Sequence, residues 1–329
     1  MKTLINLQEP TNPMHLIDAT GLTKAFGEQT VVDAVSLQVT RGEVVGFLGP
    51  NGAGKSTTMR MITGFLDPDA GTTSICGHDV AHAAIAAKRH LGYLPEGAPG
   101  YADMTVADFL SFIGAVRGLT SARLQNRLAE MVDRVNLAET WNKPIETLSK
   151  GFKRRVGIAQ ALIHDPDVLV LDEPTDGLDP NQKHEMRALI SDIAPDKAIV
   201  VSTHILEEVS AICTRAVIIA AGKVVADYRP DALVAKTPRQ NALRISLNVS
   251  DADTAAAAIT PLVNGGMVDV AARNADLAHL IFDPGTTPVK ASDVVTKLAA
   301  KGIDVRGVEP ITPTLEDVFR DITRTQSMS

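Results

Sequence analysis

An uninterrupted apolar run, Val44-Val45-Gly46-Phe47-Leu48, empties directly into Gly49-Pro50-Asn51-Gly52-Ala53-Gly54-Lys55-Ser56-Thr57. No other stretch constrains the chain as strongly. A strand that is apolar at every position is covered on both faces, so the loop leaving it sits at the rim of a buried sheet. The glycines let successive backbone N–H groups converge on one anion. The helix expected to start near Gly54 and run through Met59, Met61 and Ile62 directs the positive end of its dipole to the same place. The spacing Gly49-x-x-x-x-Gly54-Lys55-Ser56 is that of a phosphate-cradling P-loop. In such a loop Lys55 reaches the β- and γ-phosphates and Ser56 coordinates Mg²⁺.

A second apolar run, "VLVLDEP", exits into two adjacent carboxylates, Asp172 and Glu173. Unpaired buried charge is costly, and a metal and a proton would account for the pair. Asp172 is the expected Mg²⁺ holder through water, and Glu173 the base that accepts a proton from attacking water. His204 ends the strand-like "VVSTH". It suits contact with the γ-phosphate and orientation of the water, although a lone histidine at a strand end is also a common structural residue.

The chain has 329 residues, 45% hydrophobic and 22% charged, with a net charge of −7. This is the composition of a soluble globular protein with ample material for a core. The mild acidity argues against general affinity for nucleic acid, so no nucleic-acid partner is expected. Cys76 and Cys213 lack a ligand-like spacing and read as reduced, inert thiols, consistent with a cytoplasmic location. No apolar stretch approaches the ~18 residues needed to span a bilayer. Action on a membrane would therefore require a separate spanning subunit.

Residues 1–13 read as an N-terminal tail. Strand patterns begin at residue 14, with "LIDATGLTKAF" and "AVSLQVT" suggesting an antiparallel subdomain. "LGYLPEGAPGYADMT" reads as a Pro/Gly-rich connection, and residues 90–164 as a mostly helical insert. Strands return at "DVLVLD" and "AIVVST", and "RAVIIAAGKVVAD" reads as a hairpin turned at Ala221–Gly222. The whole is an α/β core interrupted by helices, spanning residues 14–228. Residues 229–329 carry the order βαββαβ, which suggests a small ferredoxin-like α+β domain. "TPTLEDVF" adds a capped helix in which Thr314 and Asp317 fit a capping box.

Between the P-loop and "VLVLDEP" stands "LSKGFKRRVGIAQAL", and after it "TDGLDP" and His204. This set of motifs, in this order over residues 14–228, resembles the ATP-binding subunit of ABC transporters. The resemblance implies a P-loop NTPase with a RecA-like core, and ATP with Mg²⁺ as its ligands. It also implies a head-to-tail homodimer in which each ATP lies between one copy's P-loop and the other copy's signature. Ser149 and Gly151, at the start of a helix, would contact the γ-phosphate across that seam, and Asp179 would line it. Phe26 falls where the family stacks an aromatic on adenine; a core phenylalanine is the plainer reading. The signature departs from LSGGQ at Lys150 and Phe152. The family's Q-loop glutamine falls at Glu96, whose carboxylate could bind Mg²⁺ or the water but adds negative charge near ATP. Both departures, and the ending "TPTLEDVF", resemble the ATPases of ABC-2-type exporters, which include gliding-motility and drug-resistance groups.

The expected function is thus ATP-driven work on an integral-membrane permease, with the subunit peripheral on the inner face of the cell membrane. The docking surface is expected near "GAPGYADMTVADFLSF". A soluble ABC ATPase of ribosomes or DNA is the alternative, but this chain has one P-loop, one signature and no heptad coiled coil. A nucleotide-regulated binding module without turnover is the third reading. The basic cluster Lys150, Lys153, Arg154 and Arg155 reads as a solvated helix face beside bound ATP.

Overall fold

The computed structural model describes residues 15–97, 100–235, 241–274, 276–285, 287–311, 316 and 319. The N-terminal tail and the capping box expected at Thr314 and Asp317 lie outside these residues. The described chain falls into two compact units divided after Pro230.

The first unit opens with β1 (His15–Phe26) and β2 (Gln29–Thr40), then β3 (Val44–Leu48) and α1 (Lys55–Ile62). It continues through β4 (Ala70–Ile75), β5 (His78–Asp79), α2 (Ala84–Arg89) and β6 (Leu91–Leu94). Three longer helices follow: α3 (Val106–Val116), α4 (Ser121–Arg134) and α5 (Lys150–Leu162). The unit then returns to β7 (Val168–Asp172), α6 (Pro180–Ile193), β8 (Ala198–Thr203), α7 (Leu206–Ile212), β9 (Arg215–Ala220) and β10 (Lys223–Tyr228).

These strands build two sheets. One is antiparallel with order β2-β1-β4-β5; the other has order β10-β9-β3-β8-β7-β6 and is parallel except at β10. The apolar runs read from the sequence are its central strands. In β7 the side chains alternate between two cores. Val168 and Val170 pack with the antiparallel sheet and α1, whereas Leu169 and Leu171 pack with the helices. Each fully buried Val or Leu contributes roughly 1.5–3 kcal/mol of transfer free energy. A run that is apolar throughout is what two-faced burial requires.

One expectation needs correction. Residues 90–164 are not helical from the start: Leu91–Leu94 is the edge strand β6, paired in parallel with β7 and buried at all four positions. The Pro- and Gly-rich residues that follow mask this short strand in the sequence pattern. It matters because Glu96 leaves its C-terminal end.

After α8 (Pro230–Ala235), the second unit runs β11 (Leu243–Asn248), α9 (Ala252–Ile259), β12 (Met267–Arg273), β13 (Leu277–Asp283), α10 (Ala291–Ala299) and β14 (Val305–Pro310). Its sheet order is β12-β13-β11-β14, antiparallel throughout. Counting the unit's own strands, that is 2-3-1-4, the ferredoxin-like arrangement expected from βαββαβ. Leu243, Ile245 and Leu247 pack on α9 and α10 with Leu280 and Phe282, so period-two alternation faces one covered side.

Candidate functional site

Because β3, β8, β7 and β6 are parallel neighbours, their C-terminal ends lie along one rim of the sheet. This is where open α/β sheets bind ligands. The rim gathers the loop after β3, Asp172 and Glu173 after β7, His204 after β8, and Glu96 after β6. A cleft of about 310 Å³ is lined by Val31, Asn51, Gly52, Gly54, Lys55, Ser56, Thr57, Glu96 and Glu173.

Gly54 occupies φ +101°, and a Cβ there would lie 2.7 Å from the Val31 carbonyl oxygen. Glycine is thus required twice, by dihedral and by space. No side chain caps α1, and its first turn holds no acid, leaving open N–H groups at its start. Lys55 is buried, and its Nζ donates to the carbonyls of Gly49 at 2.7 Å and Pro50 at 3.1 Å. Burial lowers its pKa, opposed by the charges of Glu173, Asp172 and Glu96.

Asp172 is 1% exposed. Its Oδ1 accepts from the hydroxyls of Ser202 and, at 3.4 Å, Ser56; its Oδ2 is buried without a partner among the described residues. A buried carboxylate oxygen left empty-handed is uncommon and calls for a ligand. Glu173 takes the left-handed φ of +51°, a strained value for a non-glycine residue. Its N–H donates to Ser202 Oγ at 3.0 Å. Its carboxylate accepts from His204 Nδ1, at 2.8 Å to Oε2. Burial raises the Glu173 pKa, partly offset by His204. Ser202 therefore ties both acids together. It was not singled out from the sequence, although a hydroxyl in the fully buried strand "AIVVST" was the available signal.

The other expected site residues are arranged differently. Phe26 ends β1, is 53% exposed, and has the Lys24 ammonium 6.0 Å from its ring centre. It is not among the residues lining the cleft. The signature residues also lie outside the lining. Ser149 caps α5, accepting from Phe152 N–H at 3.4 Å. Asp179 caps α6 in a reciprocal box with Gln182. A Cβ on buried Gly151 would fall 2.5 Å from Gln182 Oε1. Gln182 thus seats the start of α5 against the start of α6. The basic cluster is not one solvated face: Lys150 is exposed, but Arg154 is 5% exposed and Arg155 pairs with Glu185.

Comparison with known proteins agrees with this geometry. The family pattern for ABC transporters matches residues 32–176. A Nod factor export ATP-binding protein I of Ralstonia nicotianae is 40% identical over 67% of this chain and 68% of that protein. The daunorubicin resistance ATP-binding protein DrrA3 of Streptomyces coeruleorubidus is 34% identical over 93% of this chain and 95% of that one. Among solved structures, an ATP-binding subunit of an ABC transporter superposes with TM-score 0.63 at 32% identity, covering 67% of this chain and 92% of that one. A dimeric bacterial ABC transporter cassette gives TM-score 0.61 at 23% identity, over 65% of this chain and 98% of that one, a likeness of fold. The chain belongs to the ABC transporter family as an ATP-binding subunit, for which ATP hydrolysis is the characteristic activity. Cassettes of this family dimerise and work with membrane permeases. Among the described residues, no helix is long and apolar enough to cross a membrane.

Proposed function

We propose that this chain powers ABC-2-type export through a separate permease, by closing as a homodimer around ATP and reopening on hydrolysis. The names of its relatives, which include Nod factor export and drug-resistance subunits, support the export direction. In this reading the loop Gly49–Thr57 holds the phosphates with its N–H groups and Lys55. The ligand acts by contacting two copies when closed and one when open, and that difference in affinity shifts the equilibrium. Ser149 and Gly151 reach the γ-phosphate of the other copy's ATP, Asp179 lines the seam, and Phe26 stacks on adenine. The second unit is an accessory domain. The permease would dock near Tyr101 and Phe112, both exposed, and would hold the chain at the inner face of the cell membrane.

The residues present fit Mg²⁺. An Asp172 carboxylate oxygen without a partner among the described residues, a hydroxyl on Ser56 and the nearby Glu96 carboxylate are hard oxygen donors. When bound, the ion would neutralise phosphate charge. Glu173 takes the proton of the attacking water, and His204 holds the Glu173 carboxylate in place. The observation that carries this reading is the alignment of an uncapped helix start, an unpartnered Asp172 oxygen and the Glu173–His204 pair on one rim.

Glu173→Gln is the test. It removes the base but keeps every phosphate contact, so the variant should bind ATP, fail to turn it over and elute as a dimer in gel filtration with Mg·ATP. A monomer under those conditions contradicts the two-copy reading.

A further inference from the structure

The rim opposite the nucleotide cleft carries a cluster that none of these roles uses. Cys76, His90 and Asp167 each offer one donor atom: a thiol sulfur, a ring nitrogen and a carboxylate oxygen. These three atoms lie within 4.8 Å of one another. The residues have no ligand-like spacing in the sequence; the fold assembles them from three segments. Cys76 opens the turn between β4 and β5, His90 directly precedes β6, and Asp167 directly precedes β7. Leu91 and Val168 are parallel partners, and the Val168 N–H donates to the His90 carbonyl at 2.9 Å, so His90 and Asp167 stand side by side. The Cys76 N–H donates to the Leu16 carbonyl at 2.9 Å, which ties the turn to the start of β1. Asp167 and Asp172 bracket β7, so this cluster and the cleft are ~16 Å apart along that strand.

Each donor is held in place. His90 Nδ1 lies 2.8 Å from Asp167 Oδ2, while Arg41 donates to the other oxygen, Oδ1, at 2.7 Å. Carboxylates that ligate metals are themselves braced by hydrogen bonds in this way. The His78 ring stacks on that of His90, with centres 5.6 Å apart and planes 18° from parallel, which restrains the imidazole. Cys76 takes φ +48° and Gly77 φ +77°. Ile75 pairs with His78, so these two residues form a two-residue hairpin turn. Asn-Gly or Gly-Gly suits such a turn, and a thiol there stands against backbone preference. All three donors are half-buried, open to an ion from solvent.

The chemistry of the set selects the ion. Mg²⁺ and Ca²⁺ take oxygen donors. Thiolate, imidazole and carboxylate together suit Zn²⁺, whose bonds of about 2.0–2.3 Å set ligand atoms roughly 3.5 Å apart. Small side-chain rotations close the spacing to that value.

We propose that Cys76, His90 and Asp167 bind one Zn²⁺ ion, with solvent in the fourth position, and that the ion fastens the β4–β5 turn to the starts of β6 and β7. Cys76 binds as the thiolate, its proton leaving to solvent. The site stands independently of the ATPase reading.

The test uses the full chain, kept reduced and stripped of metal with a chelator. Zinc affinity is measured by competition with a chromogenic chelator, and Co²⁺ is added in parallel as a spectroscopic probe. Wild type should bind one zinc per chain with Kd about micromolar or tighter. Millimolar Mg²⁺ should leave that affinity unchanged, and Co²⁺ should give a thiolate-to-metal charge-transfer band. Cys76→Asn is the decisive variant. Asparagine tolerates the left-handed turn, so the metal-free thermal midpoint should equal or exceed that of wild type. The variant should nevertheless lose the cobalt band and at least about tenfold in zinc affinity, the least that disturbing a metal's ligand shell costs. It should also lose the rise in midpoint that zinc gives wild type by mass action. His90→Ala should lose zinc affinity likewise, and Cys213→Ser should keep both the band and the affinity. If Cys76→Asn does not fold, Cys76→Ser takes its place. Zinc affinity equal to wild type in the Cys76 variant, a cobalt band that survives in it, or competition by Mg²⁺ would overturn the proposal.

Discussion

His204 Nδ1 donates to Glu173 Oε2 at 2.8 Å, although the two residues leave different strands, β8 and β7. Parallel pairing of these strands brings their ends level. The histidine thus acts on the carboxylate before any nucleotide arrives, and it opposes the burial that raises the Glu173 pKa.

His204→Ala should therefore lower kcat by about a hundredfold, the low end of the roughly 10²–10⁴-fold range of a positioned acid–base group, because Glu173 itself is kept. ATP affinity should be nearly unchanged, since His204 is not among the residues lining the cleft. Steady-state kinetics alongside calorimetry separates the two, and an unaltered kcat would remove His204 from the mechanism.

Lys55→Ala should weaken ATP binding by at least about tenfold, because a charge-assisted contact to phosphate is lost. The fold should survive: among the described residues Lys55 hydrogen-bonds only carbonyls of its own loop, those of Gly49 and Pro50. Calorimetric affinity equal to wild type would count against the P-loop assignment.

Ser202→Ala removes the donor to Asp172 and the acceptor for the Glu173 N–H. The Glu173 N–H keeps the Ser202 backbone carbonyl at 3.2 Å and Asp172 Oδ1 keeps the long contact to Ser56 at 3.4 Å, so the loss of the two hydroxyl hydrogen bonds, one of them to a carboxylate, should cost about 1–3 kcal/mol of stability. Turnover should also fall more than ATP affinity. Urea unfolding and kinetics on the same preparation test this, and a silent substitution would show that the two acids are held by other means.

Gly151→Ala places a Cβ 2.5 Å from Gln182 Oε1. That atom ends a flexible side chain, so the fold should adjust and the thermal midpoint move little. The price is the Asp179–Gln182 box, and with it the mutual seating of α5 and α6. ATP-driven dimerisation, followed by light scattering in the Glu173→Gln background, should weaken by about tenfold for a loss near 1.4 kcal/mol. Dimerisation as tight as in the parent would mean that this seating is unimportant.

His164 supplies a pH dependence. Burial pushes its pKa down to about 4, and among the described residues its Nδ1 has no hydrogen-bond partner. The unfolded chain titrates near 6.5. As pH falls below that value, the unfolded state gains a proton that the folded state refuses, so stability is lost progressively down to the folded pKa. Between pH 7 and pH 5 the loss should be about 2 kcal/mol. His164→Gln keeps a donor for the Leu91 carbonyl and should lose less stability over that interval. Identical pH profiles would place the acid sensitivity elsewhere.

The sequence by itself determined the local chemistry. Runs apolar at every position dictated two-faced strands, and glycines with Lys55 and Ser56 dictated a phosphate loop. The alternation Leu243, Ile245, Leu247 dictated a sheet covered on one side. These are properties of neighbouring residues, set by backbone geometry and side-chain period. What the tertiary structure alone decided were relations between segments far apart in the chain. They include Ser202 bridging Asp172 and Glu173, His204 reaching Glu173, Gln182 filling the space above Gly151, and the short strand β6 that carries Glu96 to the rim. Arg154 is the sharpest case. Within "KGFKRRVG" it resembles Lys150, Lys153 and Arg155, yet only Arg154 of these four has its charge taken out of water by the fold. Strand order and helix register are long-range outcomes of core burial, and no local pattern encodes them.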